Sequence, residues 1–111
     1  MVAPRRGDIV TAAGGVYASK PRPVVVLQDD LFSASDSVTV CPLTTKKVDA
    51  PLLRMPLAAD EANGISSPSF VMIDKITTIR RSNVGVVVGH LDPVQMLELE
   101  RRVLVFMGLA H

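Results

Sequence analysis

Two hydrophobic periodicities divide the chain. Up to residue 91 apolar positions alternate or fall in short runs; after it they recur at helical spacing. Gly7-Asp8-Ile9-Val10-Thr11-Ala12 reads as a first strand, and the glycine pair within 13–20 marks a loop behind it. Val24-Val25-Val26-Leu27 is too short for a helix and is bounded by proline and by Gln28-Asp29-Asp30. It predicts a strand buried on both faces. A polar loop over 32–36 leads to the alternating Ser37-Val38-Thr39-Val40-Cys41. Pro42 is expected to end that strand's ladder, because proline has no N–H to donate. Residues 51–57, with proline at 51 and 56, predict a short edge strand, and 58–67 a polar connection. Ser69 to Asp74 forms another strand, continued by 75–79 after a bend, and Val84 to Gly89 forms the last.

The helical pattern covers residues 93–108. Asp92 suits the N-cap, Pro93 the first helical position, and Gln95 completes a capping box. Leu91 and Met96 occupy the two positions of a hydrophobic staple. At 100° per residue, Met96, Leu97, Leu99, Val103, Leu104, Phe106 and Met107 share one arc. Glu100 falls inside that arc, as an ion pair at its edge or as a polar contact in a subunit interface. Many short strands and one terminal helix point to a mainly β protein with α: a small, strongly bent antiparallel barrel capped by a helix.

Composition narrows the reading. At 111 residues a single domain is expected over 1–111. Apolar residues make up 48% but aromatics only 4%, so the core must be aliphatic. No apolar run reaches the roughly 18–20 residues that span a bilayer, and the N-terminus carries no signal-peptide core. The apolar excess therefore points to self-association rather than a membrane. The lone Cys41 fits a reducing compartment and a core role. Net charge is +1, so no whole-molecule field draws in nucleic acid. Arg5, Arg6, Lys20, Arg22, Lys46 and Lys47 nevertheless flank residues 20–45, and Arg80 and Arg81 sit together. Local basic clusters in a balanced chain suit a small phosphate site. Within it Arg22, set between Pro21 and Pro23, and Thr44, after Pro42, are read as facing one phosphate.

Four blocks in order carry a family resemblance: Arg6-Gly7-Asp8-Ile9-Val10, Arg22-Pro23-Val24-Val25-Val26-Leu27-Gln28, Pro42-Leu43-Thr44-Thr45, and Ser69-Phe70-Val71-Met72-Ile73-Asp74-Lys75-Ile76-Thr77-Thr78-Ile79. With the terminal helix they resemble the MazF/PemK/Kid toxins over roughly residues 5–109. The resemblance implies an SH3-like antiparallel barrel of the CcdB/Kid type with a C-terminal helix. It implies a cytoplasmic homodimer that cuts single-stranded RNA selectively, without a metal or cofactor, and is held inactive by a cognate antitoxin. The family's catalytic Arg falls on Arg22 and its catalytic Thr on Thr44. Candidate substrate-binding residues are Arg6, Lys20, Thr45, Lys46, Ser69 and Arg80. Two departures stand out: the loop before Arg22 is short and lacks the acidic residue often found there, and Lys75 replaces the usual Gln.

The residues bound the chemistry. His90 and His111 both lie far in sequence from residues 20–45, so an acid–base histidine pair is not expected. A guanidinium can clamp two phosphate oxygens but is too basic for an ordinary general base. Arg22 is therefore read as a charge clamp on an anionic phosphorane. Thr44 is read as a hydrogen-bond donor, since nothing nearby activates it as a nucleophile. Asp8 is either a turn residue or a partner of Arg6 or Arg22. A same-fold, CcdB-like toxin that binds DNA gyrase is the alternative, along with a catalytically silent SH3-like interaction module.

Overall fold

The computed structural model describes residues 3–14 and 20–110. The expected loop over 13–20 thus lies partly outside the described residues, as does His111. The strands are β1 (Asp8–Ala12), β2 (Arg22–Val26), β3 (Ser37–Thr44), β4 (Arg54–Leu57), β5 (Ser69–Met72), β6 (Thr77–Arg80) and β7 (Val84–His90), followed by helix α1 (Pro93–Phe106). They form one antiparallel seven-stranded sheet in the order β4-β5-β3-β2-β1-β7, with β6 also paired to β3. Among the described residues no ladder joins β4 to β7, so the sheet is bent without hydrogen-bonded closure.

β3 is the hub. One edge pairs with β2; the other pairs first with β6, over Ser37–Val40, and then with β5, at Leu43 and Thr44. Pro42 does not end the strand. It lies opposite Val24 on the β2 side, and on the other side it falls in the gap between the β6 and β5 ladders. A missing N–H costs little where no partner strand asks for it. Pro23 is tolerated likewise, because β2 pairs with β1 there but meets β3 only from Val24 onward. The expected bend after Ser69–Met72 is a 3-10 turn at Ile73–Lys75.

Val24, Val25 and Val26 are all buried, but their faces differ. Val25 joins Ile9, Cys41, Leu43, Val71 and Leu99 in the core beneath α1. Val24 and Val26 join Val10, Val38, Val40 and Ile79 in a second core on the opposite face. α1 carries the expected capping box: Asp92 Oδ1 accepts from Gln95 N at 2.7 Å, and Gln95 Oε1 accepts from Asp92 N at 2.9 Å. Leu91 and Met96, the staple pair, are both buried in the first core. The apolar arc of α1 is wider than the surface that covers it. Met96 and Leu99 are buried and Val103 is half-buried, whereas Leu97, Leu104, Phe106 and Met107 remain exposed. Glu100 makes the ion pair, with Arg6 Nη2 3.3 Å from its Oε2. No helix among the described residues is long and apolar enough to cross a membrane.

Candidate active site

The site is set by register. β2 and β3 pair at Val26–Val40, Val25–Cys41 and Val24–Pro42. Carried two residues further, the same register brings Arg22 level with Thr44. A two-residue step keeps each side chain on the face of Val24 and Val40, the face of the second core. Arg22 is the first residue of β2, opposite Ala12 of β1, and is exposed. Between Pro21 and Pro23 its backbone is held extended, which limits the conformations the side chain must give up on binding. Among the described residues its guanidinium makes no salt bridge or hydrogen bond.

Thr44 ends β3 opposite Phe70 and is half-buried. Its Oγ1 accepts from the backbone N–H of Lys46 at 3.1 Å. This is the turn that a Thr pair after a strand suggests, and it also orients the hydroxyl. With the oxygen engaged as an acceptor, the O–H is left to donate outward. Lys20, Thr45, Lys46 and Lys47 are exposed neighbours of Arg22 and Thr44. Arg80 is also exposed, but it lies at the far end of β6, opposite Ser37.

Two residues expected at the substrate site are held elsewhere. Arg6 Nε donates to Leu27 O at 3.1 Å while Nη2 pairs with Glu100, beyond the opposite end of β2. At the rise of a β-strand, Leu27 lies about 16 Å along the chain from Arg22. Ser69 stands beside Phe70, but it is buried and donates its hydroxyl to Ser67 O at 3.0 Å. Asp8 is the turn residue: its Oδ2 accepts from Arg5 N at 2.8 Å. Arg81 also proves structural, its Nε donating to Ser35 O at 2.7 Å and so tying down the loop between β2 and β3. Sequence reading gave no sign of that role, because the acceptor lies 46 positions away.

Cys41 is fully buried and donates through Sγ to Met72 O at 3.1 Å. Burial, and secondarily the Asp74 carboxylate, push its thiol from 9.0 up to about 12, against the opposing effect of Arg54. A neutral buried thiol is a poor nucleophile, so Cys41 belongs to the core. Asp74 forms a part-buried ion pair with Arg54 at the turn between β5 and β6. Among the described residues, no group of His, Cys, Asp and Glu has the arrangement of a metal site.

Known proteins bear on this geometry. The chain is 51% identical over 107 residues to the probable endoribonuclease MazF of Mycolicibacterium smegmatis, covering 96% of this chain and 98% of that protein. The Mycobacterium tuberculosis toxin MazF-mt6 superposes with a TM-score of 0.80 at 28% identity, over 94% of this chain and 99% of that one. A MazE–MazF crystal structure from Deinococcus radiodurans shares the fold, with a TM-score of 0.80 at 19% identity over 99% of this chain and 100% of that one. These similarities do not favour the gyrase-binding alternative. A profile of the family described as the PemK-like, MazF-like toxins of type II toxin–antitoxin systems matches residues 5–107, and the chain belongs to that family.

Proposed function

We propose that this chain is the toxin of a type II toxin–antitoxin system and cleaves single-stranded RNA at Arg22 and Thr44 without a metal. The observation that supports the reading is the β2–β3 register, which, extended two residues past Val24–Pro42, sets Arg22, with no hydrogen bond or salt bridge among the described residues, level with the oriented hydroxyl of Thr44 in a chain of this family. The ribose 2′-hydroxyl gives its proton to water as its oxygen attacks the adjacent phosphorus, and the bond from phosphorus to the 5′-oxygen breaks as that oxygen takes a proton from water. The products are a 2′,3′-cyclic phosphate and a free 5′-hydroxyl. Arg22 offers two parallel N–H groups to the equatorial oxygens of the phosphorane, where negative charge peaks. Thr44 donates its O–H to one of those oxygens. Lys20, Thr45 and Lys46 hold the neighbouring phosphates and sugars, giving affinity that falls with salt.

The full chain acts in the cytoplasm as one toxin domain and as a homodimer. An acidic antitoxin segment lies over the basic end formed by Lys20, Arg22, Lys46 and Lys47 and silences it. Purified protein incubated with a single-stranded RNA of mixed sequence and a chelator tests the reading. Cleavage with a 2′,3′-cyclic phosphate on the upstream product is expected. Intact RNA, or cleavage abolished by the chelator, would overturn it. A double substitution of Arg22 and Thr44 that leaves toxicity in cells unchanged would support the silent interaction module instead.

A further inference from the structure

Between β6 and the end of β1 lies a cleft of about 450 Å³ and mixed polarity, bounded by Gly14, the run Thr77–Arg80, Ser82 and Asn83. Four consecutive residues of β6 line it, so the cleft meets that strand along its edge and not on one face. The edge is open: among the described residues β6 pairs with β3 alone, and its outer N–H and C=O groups face no other strand. Asn83 forms the opposite wall. Its backbone carbonyl accepts from Ala13 N at 3.0 Å, which fixes it against the end of β1. Its Oδ1 lies 3.1 Å from the point a Cβ would occupy on Gly14, which has φ +72°. Glycine at that position therefore leaves the carboxamide its room.

The lining has a chemical signature. It contains hydroxyls, an amide, a free strand edge and one cation, Arg80, but no carboxylate. Four other clefts on the molecule each hold an acid: Asp29 with Asp30, Glu98, Asp36, and Glu100. A neutral, planar, hydrogen-bonding group carried on a phosphate chain suits the carboxylate-free cleft and no other of these. Two of its walls run from the strands paired with those that carry Arg22 and Thr44. Thr77 lies opposite Val40, on the strand that ends at Thr44, about 13 Å along it. Gly14 lies two residues past Ala12, the partner of Arg22.

We propose that this cleft holds one base of the RNA next to the cut, and that Asn83 and the open edge of β6 read that base. The inference rests on the RNA-cleavage reading above. Single-stranded RNA offers its bases unstacked, with their hydrogen-bonding edges free. A carboxamide presents a donor and an acceptor in one plane, the complement of an adjacent acceptor and amino group such as adenine displays.

The test is cleavage of a randomised single-stranded RNA pool, with the cut ends sequenced, by the full chain and by Asn83→Ala and Asn83→Asp. Asn83→Ala is expected to keep cutting while losing about tenfold or more of the preference at one position beside the cut. Asn83→Asp, which keeps the shape but offers only acceptors, is expected to shift that position toward bases bearing an amino group. An unchanged motif in both variants overturns the base-reading role. So does complete loss of cleavage in variants whose circular dichroism and melting match the parent, since Asn83 would then serve the cut itself. A parent protein that leaves the whole pool intact would sink the RNA-cleavage reading beneath it, a result distinguishable from either.

Discussion

At the scale of single residues, the proposed reaction asks different things of Arg22 and Thr44, and substitutions separate the two. Arg22→Lys keeps the charge but loses the planar fork. It should lower cleavage of a defined single-stranded oligonucleotide about a hundredfold or more, the scale of removing a preorganised transition-state donor. Thr44→Val removes the donor and should cost about ten- to a hundredfold, whereas Thr44→Ser should restore most of the rate. Equal losses for Ser and Val would show that the methyl group, not the hydroxyl, matters. Cys41 makes a different prediction, about pH. Its folded-state value is raised to about 12, so the native state holds the proton after the unfolded chain has begun to lose it. The resulting stabilisation is fully present below about pH 9 and is lost as pH climbs toward 12, at up to about 1.4 kcal/mol per unit. Melting of the parent and of Cys41→Ala, followed from about pH 8 to 11, should show the gap between them narrowing above pH 9. A constant gap would mean that the thiol does not titrate with unfolding.

Among the elements, what was legible in the sequence was what local pattern decides. The β-branched run at 24–26, the alternation at 37–41 and the capping box at Asp92 and Gln95 each appear where the pattern placed them. Pro42 does not terminate β3, against the local pattern, because its harmlessness depends on where β3 passes from β6 to β5, a fact of topology that no local pattern carries. Arg22 and Thr44 are visible as residue types at strand ends, but setting them level takes the β2–β3 register, extended two residues past its last pair at Val24–Pro42. Asn63 was invisible for the same reason. Its Oδ1 accepts from Asp60 N and Ile65 N, both at 3.1 Å, and its Nδ2 donates to Ala58 O at 2.8 Å. The loop it knots packs against the end of β7, where His90 N donates to Ala62 O at 2.9 Å. Asn63→Ala would remove a buried carboxamide and three side-chain-to-backbone hydrogen bonds at part-buried positions, and should cost about 1 to 3 kcal/mol. Urea unfolding should show a lower midpoint with an unchanged slope. A midpoint within error of the parent would show that the knot is not needed to seat β7.

The whole molecule leaves more apolar surface uncovered than its core explains. On β7, the last strand in the sheet order, three consecutive valines are exposed, with Val86 64% accessible. Two register shifts in the pairing of β7 with β1 break the strict alternation of this strand and leave the three valines as one exposed apolar stretch among the described residues. On α1, Val94, Leu97, Leu104, Val105 and Phe106 are exposed along a helix that buries only Met96 and Leu99. Patches of this kind mark interaction surfaces, and an unpaired edge strand left bare is an aggregation hazard unless something covers it. A second copy of the chain is the economical cover, because a two-fold interface lets one self-complementary patch serve both subunits. Light scattering at micromolar concentration should therefore give twice the 11.9 kDa of one chain. The interface can be challenged from the helix. Leu97→Glu together with Leu104→Glu places two carboxylates on the uncovered arc, where neither side chain is needed by the core of one chain. The dimer should dissociate, while the melting of the monomer at low concentration stays cooperative. Lys47→Glu, a charge change of the same sign in the exposed loop after β3, should leave the mass at twice the chain. A parent protein that scatters as a monomer, or a helix variant that stays dimeric, would move the contact off α1, with the valine edge of β7 the next surface to substitute.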